Sequence, residues 1–166
     1  MHLFITRHGK AHAESDTGRD EDRPLRGRGE RQATFLGEQL KHADVRPSVI
    51  YSSGLLRAEQ TADIIADILK ADRQREPVLG LGHRATDVIE VLELIRRKDN
   101  DACVMLVGHN PQLESLVSVL AEGPTASPHR MRTGTCVVMK TRGKPSKNDH
   151  GLIGNAKITD ELRLEE

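Results

Sequence analysis

Apolar residues follow two rhythms along this chain. Short unbroken runs occur at Leu3, Phe4 and Ile5, at Val49, Ile50 and Tyr51, and from Ala102 to Val107, each ending in small or polar residues. Runs of that length read as strands buried on both faces, as in a parallel sheet. Between them, apolar positions recur every three or four residues: Ala33, Leu36 and Leu40; Ala58, Ala62, Ile65 and Leu69; Val88, Val91, Leu92 and Ile95; Leu113, Leu116, Val117 and Leu120. That spacing predicts amphipathic helices, the first beginning near Gly29. Val78, Leu79 and Leu81, following Pro77, predict a further short strand. Beyond Gly123, Pro124 and Pro128, two β-like runs, Thr135 to Thr141 and Leu152 to Thr159, flank a polar loop and predict a hairpin. Strands alternating with helices, then a hairpin, give a single α/β domain over residues 1–166. The expected core is a mostly parallel central sheet with helices on both faces and a C-terminal β-hairpin.

Composition narrows what such a domain does. At 166 residues, the chain is long enough for one sizeable core. Lys plus Arg and Asp plus Glu both number 25, so the chain lacks the global basic excess of nucleic-acid binders. With one Tyr, two Phe and no Trp, base-stacking platforms are not expected either. Cys103 and Cys136 sit in apolar runs without metal-type spacing and read as reduced, buried thiols. The N-terminus lacks a basic region followed by a long apolar one, and no run reaches membrane-span length. A cytoplasmic protein without nucleic-acid or membrane partners is expected.

The candidate chemistry stands at the strand ends. The first strand runs into Arg7, His8 and Gly9, the second into Ser52, Ser53 and Gly54 with Arg57 in the next helix turn, and the run from Ala102 into Gly108, His109, Asn110 and Pro111. In a parallel sheet these ends share one edge, where ligands of open α/β sheets bind. Arg57 near a helix N-terminus opposes the macrodipole, which makes sense where an anion sits between them. Two arginines and two histidines around one cleft suit a dianionic oxygen cluster, most simply a phosphoryl group. Gly27 and Gly29 lack the third glycine and the preceding strand of a dinucleotide fingerprint. His8 and His12 lack a third zinc ligand at suitable spacing, so no metal is expected. His2, His42, His129 and His150 read as surface or packing residues.

Three ordered segments resemble the histidine phosphatase superfamily, the phosphoglycerate mutase-like family: Arg7-His8-Gly9, the stretch Ser53 to Ala62 with Arg57, and Val107 to Pro111. The small size and Arg23-Pro24-Leu25 ahead of the first helix look most like the SixA branch, the compact phosphohistidine phosphatases. The resemblance implies that His8 is a nucleophile forming a covalent phosphohistidine. It further implies that Arg7, Arg57 and His109 hold the phosphoryl oxygens, and that neither metal nor cofactor takes part. Ser53 and Asn110 are candidates for added phosphate hydrogen bonds, and Arg23 for the entrance. A neutral imidazole is a good nucleophile near pH 7, in agreement.

The departures bear on the substrate. Many relatives carry an acid after the third strand, but Gly80 to Asp87 offers no clear match; Asp87, Glu90 and His83 are weak candidates. A poor alkoxide leaving group needs that proton, whereas the imidazole leaving from phosphohistidine needs it less. The expected reaction is therefore hydrolysis of phosphohistidine on a protein domain, with inorganic phosphate as product. The alternatives are a broader phosphatase of small phosphate esters and a phosphate-recognition module without turnover. The charged loop from Glu14 to Arg31 and Lys140, Lys144 and Lys147 are candidates for setting partner choice.

Overall fold

A computed structural model describes residues 1–143 and 151–165. Lys144, Lys147, His150 and the tip of the expected hairpin lie outside them. Six strands, β1 (His2–Arg7), β2 (Val49–Ser52), β3 (Asp72–Arg75), β4 (Cys103–Gly108), β5 (Cys136–Thr141) and β6 (Ala156–Leu162), form one sheet in the order β3-β2-β4-β1-β5-β6. β3, β2, β4 and β1 run parallel, and β5 pairs antiparallel with both β1 and β6. Four helices, α1 (Gly27–Lys41), α2 (Leu56–Leu69), α3 (Ala85–Lys98) and α4 (Gln112–Glu122), cover the two faces.

The period-2 alternation of a strand decides which helix meets which side chain. Leu3 and Ile5 of β1 join Val104 and Leu106 of β4 in a cluster with Val88 and Leu92 of α3 and Leu113, Leu116 and Val117 of α4. Phe4, Met105 and Val107 point the other way, onto Ala33, Leu36 and Leu40 of α1 and Ala58, Ala62 and Ile65 of α2. Burial on both faces is why β1 and β4 are continuous apolar runs in the sequence. Cys136 is buried and Cys103 half-buried, both as free thiols, and burial pushes the Cys136 thiol up to about 12.

Two expectations need correction. The strand expected at Val78, Leu79 and Leu81 is instead a 3₁₀ turn at Pro77–Leu79, followed by an exposed Leu81. Leu79 is fully buried there, and its carbonyl backs onto Gly108, so the apolar pair plugs the core rather than pairing with a strand. The third strand is Asp72–Arg75, a sheet edge with every residue exposed. The second hairpin strand begins at Ala156, not Leu152; Leu152 is buried ahead of it, its N–H donating to Glu93 Oε1. Among the described residues no helix is long and apolar enough to cross a membrane.

Candidate active site

Register brings the candidate residues level. Arg7 at the end of β1 pairs with Gly108 at the end of β4, and Ser52 at the end of β2 pairs with Val107. The ties continue one residue further, with the His8 N–H donating to the Gly108 carbonyl (3.1 Å) and the Ser53 N–H to that of Val107 (3.2 Å). The chain then turns sharply. A Cβ on Gly9 would come within 2.6 Å of the Gly29 carbonyl, so two glycines let the loop after β1 lie directly on the start of α1. Gly9 N–H donates to Thr61 Oγ1 (3.0 Å), whose hydroxyl donates to the Arg57 carbonyl (2.7 Å). The backbone behind Arg7 and His8 is held by Gly134, whose N–H reaches both carbonyls from a left-handed φ of 72°.

The side chains at this edge are committed on one side and open on the other. His8 Nδ1 lies 2.7 Å from the Gly9 carbonyl; a carbonyl only accepts, so Nδ1 carries the proton and neutral His8 keeps its lone pair on Nε2. His109 Nε2 lies 2.6 Å from Ser53 Oγ, while its Nδ1 is buried without a partner. Ser53 Oγ also accepts the Leu55 N–H (3.4 Å); a hydroxyl keeps a second lone pair, so its bond to His109 Nε2 is compatible with the proton on either ring nitrogen of His109. Arg7 Nη1 donates to the Met131 carbonyl (3.1 Å), and Arg57 donates through Nη1 to the Asp20 carbonyl (2.9 Å) and through Nη2 to its carboxylate (3.1 Å). The Nε atoms of both arginines are buried without a partner. The two imidazole rings face each other at 5.0 Å between centroids. Arg7, Arg57 and His109 are thus each anchored by one atom and hold another buried without a protein partner, beside the free lone pair of His8 Nε2.

Burial and the surrounding guanidinium groups keep both imidazoles neutral. His8, only 8 % exposed, is pushed down to about 4, first by desolvation and then by Arg57, Arg7 and Arg23, against the raising effect of the Gly9 carbonyl. His109 is pushed down to about 3, again by desolvation first, then by His8 and Arg57. The Asp20 carboxyl is also held below its usual range, by its hydrogen bond from Arg23 and by Arg57, and for a carboxyl that favours the charged form.

The structure brings Arg7, His8, Arg57, His109, Ser53 and Asn110 to one place. Ser53 is engaged with His109, and Asn110 Nδ2 donates to the Met131 carbonyl (2.8 Å). Arg23 stands outside them, donating to Asp20 Oδ1 (2.9 Å) and the His12 carbonyl (2.6 Å). Arg57 also meets an anion within the chain, Asp20, which sequence reasoning missed: it lies 37 positions away, in a 3₁₀ turn at Asp20–Asp22 without periodicity to mark it. Of the acid candidates, Asp87 accepts the Arg84 N–H (2.8 Å) at the start of α3, and His83 lies 3.7 Å from it. His83 lines a cleft of about 570 Å³ that opens beside His109. No three His, Cys, Asp or Glu side chains among the described residues form a metal-type cluster.

This geometry has relatives. The sequence profile described as histidine phosphatase superfamily (branch 1) matches residues 3–80. An uncharacterized protein of Picosynechococcus sp. is 34% identical over 129 residues, covering 75% of this chain and 76% of that protein. The phosphohistidine phosphatase SixA of Escherichia coli is 32% identical over 127 residues, covering 75% of this chain and 77% of that protein. In three dimensions, the protein histidine phosphatase SixA complexed with tungstate superposes with a TM-score of 0.81 at 24% identity, over 98% of this chain and 97% of that one. A putative SixA from Agrobacterium tumefaciens gives 0.71, also at 24% identity, over 97% of this chain and 96% of that one. With its three strand-end motifs converging on one pocket, the chain belongs to the histidine phosphatase superfamily and is a phosphatase.

Proposed function

We propose that the protein hydrolyses phosphohistidine carried by another protein, by way of a covalent phosphohistidine on its own His8. The observation that carries this reading is the hydrogen bond from His8 Nδ1 to the Gly9 carbonyl, which fixes the tautomer with its lone pair on Nε2. In the first step, Nε2 attacks phosphorus in line. The Nε2–P bond forms as the P–N bond to the substrate imidazole breaks, and the leaving nitrogen keeps the bonding pair and takes up a proton. Arg7 Nε, Arg57 Nε and His109 Nδ1 donate to the phosphoryl oxygens, whose charge they match without first reorganising. In the second step water attacks phosphorus and gives up a proton to solvent, replacing the one the leaving imidazole took from it, while the Nε2–P bond breaks with its pair returning to Nε2, and inorganic phosphate leaves. Dividing the transfer in two makes each step easier.

The acid inventory supports phosphohistidine over an ester. Asp20 is held ionised by Arg23 and Arg57, and Asp87 is occupied at the start of α3, so neither is a ready proton donor to an alkoxide. A second reading, small phosphate esters, draws on one observation: His83, beside Asp87, is the acid candidate that lines the cleft next to His109. Comparing hydrolysis of a phosphohistidine-carrying protein domain with that of an aryl or alkyl phosphate, without added metal, tests the two. Fast loss of phosphohistidine, slow ester turnover and an inactive His8→Ala variant are expected. Fast alkyl ester turnover that fails in His83→Ala would establish the second reading instead.

A further inference from the structure

Next to the largely apolar cleft beside His109, and sharing Asn110 with it, a second cleft of about 420 Å³ is lined by Arg7 and by the exposed Lys10, Arg130 and Arg132, with Glu114 the carboxylate among its described lining residues. Glu114 is itself occupied, accepting the Met131 N–H (2.8 Å). So strong a local excess is unexpected in a chain whose formal charge is zero. Elsewhere on the surface, Arg19, Arg73 and Arg75 stand beside carboxylates, while other exposed arginines, Arg46 and Arg97 among them, carry no ion pair with the described residues but stand apart from this cleft. Lys10, Arg130 and Arg132 are exposed and carry no ion pair with the described residues. Clustered like charges repel one another, so Lys10, Arg130 and Arg132 side by side have their electrostatic use when an anion arrives.

The position of this cleft says which anion. Arg7 and Asn110 belong to both the phosphoryl pocket and the basic cleft, joined through the Met131 carbonyl that accepts from each. Asn110 and His109 also border the apolar cleft, whose walls include the exposed Leu81 and Ile153. The phosphoryl pocket therefore adjoins both a basic recess and a largely apolar one, each bordered by Asn110, a footprint much wider than a single phosphate ester. We propose that the basic cleft docks an acidic segment of the phosphoprotein substrate, with Arg130, Arg132 and Lys10 meeting carboxylates that flank the phosphohistidine. The proposal rests on the reading of the substrate as a protein phosphohistidine. It adds that the charge next to the phosphohistidine sets which proteins are accepted.

Two phosphohistidine peptides of equal length, one flanked by glutamates and one by alanines, test it with the wild type and with an Arg130→Glu/Arg132→Glu variant. Wild type is expected to prefer the acidic peptide about tenfold in kcat/KM at low salt, mostly through KM, as a few exposed charge pairs allow. That ratio should shrink toward one at high salt and fall to one or below in the charge-reversed variant. An Arg130→Ala/Arg132→Ala variant, with a gentler surface change, should fall between them. Equal kcat/KM for both peptides, or a preference surviving charge reversal, overturns the docking proposal while leaving the phosphohistidine reading in place. If neither peptide is hydrolysed but an aryl phosphate is, the substrate reading itself fails, and the docking proposal falls with it.

Discussion

His8 and His109 stand at the ends of neighbouring strands, buried, each fixed by one ring nitrogen, while Asp20 and Arg23, paired with each other between β1 and α1, border the same pocket and remain in contact with solvent. The floor of the site is held by sheet register and backbone hydrogen bonds that cannot shift without disturbing β1 and β4. The rim is held by side-chain pairs in high dielectric, each worth little alone. Floor residues should therefore decide whether chemistry occurs, and rim residues how well a given substrate is held.

The largest effect should come from the floor. His8→Ala removes the only group proposed to take the phosphoryl, and phosphohistidine hydrolysis should fall by at least about 10⁴-fold in single-turnover assays. Arg57→Ala removes an anchored donor to the transition state, and a loss of about 10²–10³ in kcat is expected. A loss confined to KM would instead place Arg57 in ground-state binding.

Acid stability sharpens the same contrast. Both imidazoles titrate well below the ordinary histidine value of 6.5, so the unfolded chain binds protons that the folded one refuses. Above pH 6.5 neither state is protonated at these groups and nothing is lost. As pH falls from 6.5 toward 4, each histidine should lower stability by up to about 1.4 kcal/mol per pH unit. Denaturant melts of His8→Ala should show a shallower decline over that window than wild type. An identical decline would mean that His8 is not held neutral.

At the rim, Asp20→Asn keeps the shape of the side chain but removes the charge that steadies Arg57 and pairs with Arg23. A change of about threefold to tenfold in KM with little change in kcat is expected from partly exposed pairs. A loss as deep as that of Arg57→Ala would move Asp20 from rim to floor.

The same division governs how much of the molecule could be read from its sequence. β1, β2 and β4 announced themselves because burial on both faces demands unbroken apolar runs, and Arg7, His8, Arg57 and His109 followed because parallel strands end at a common edge. β3 did not: Asp72, Arg73, Gln74 and Arg75 lie at the sheet edge, fully exposed, and pair through backbone groups that leave no mark on side-chain pattern. Val78 and Leu79 looked like a strand because they are apolar, yet they form one turn that fills the core below Gly108. Gly27 and Gly29 were set aside as a dinucleotide fingerprint, and what the sequence did not show is that Gly29 serves close packing against Gly9 and Lys10. Asp20, Gly134 and the Met131 carbonyl were out of reach because their roles arise from contacts between distant segments, with no local periodicity to expose them.

The central claim concerns one atom, Nε2 of His8, and the most direct test is to trap the phosphoenzyme. Rapid mixing with a phosphohistidine-carrying protein, quenching in base where phosphohistidine survives, and reading the linkage by ³¹P NMR together with peptide mass spectrometry would locate the phosphoryl group. The account predicts it on His8, bonded to Nε2. Phosphate on Nδ1 or on His109, or turnover with no phosphoenzyme at any time point, would contradict it.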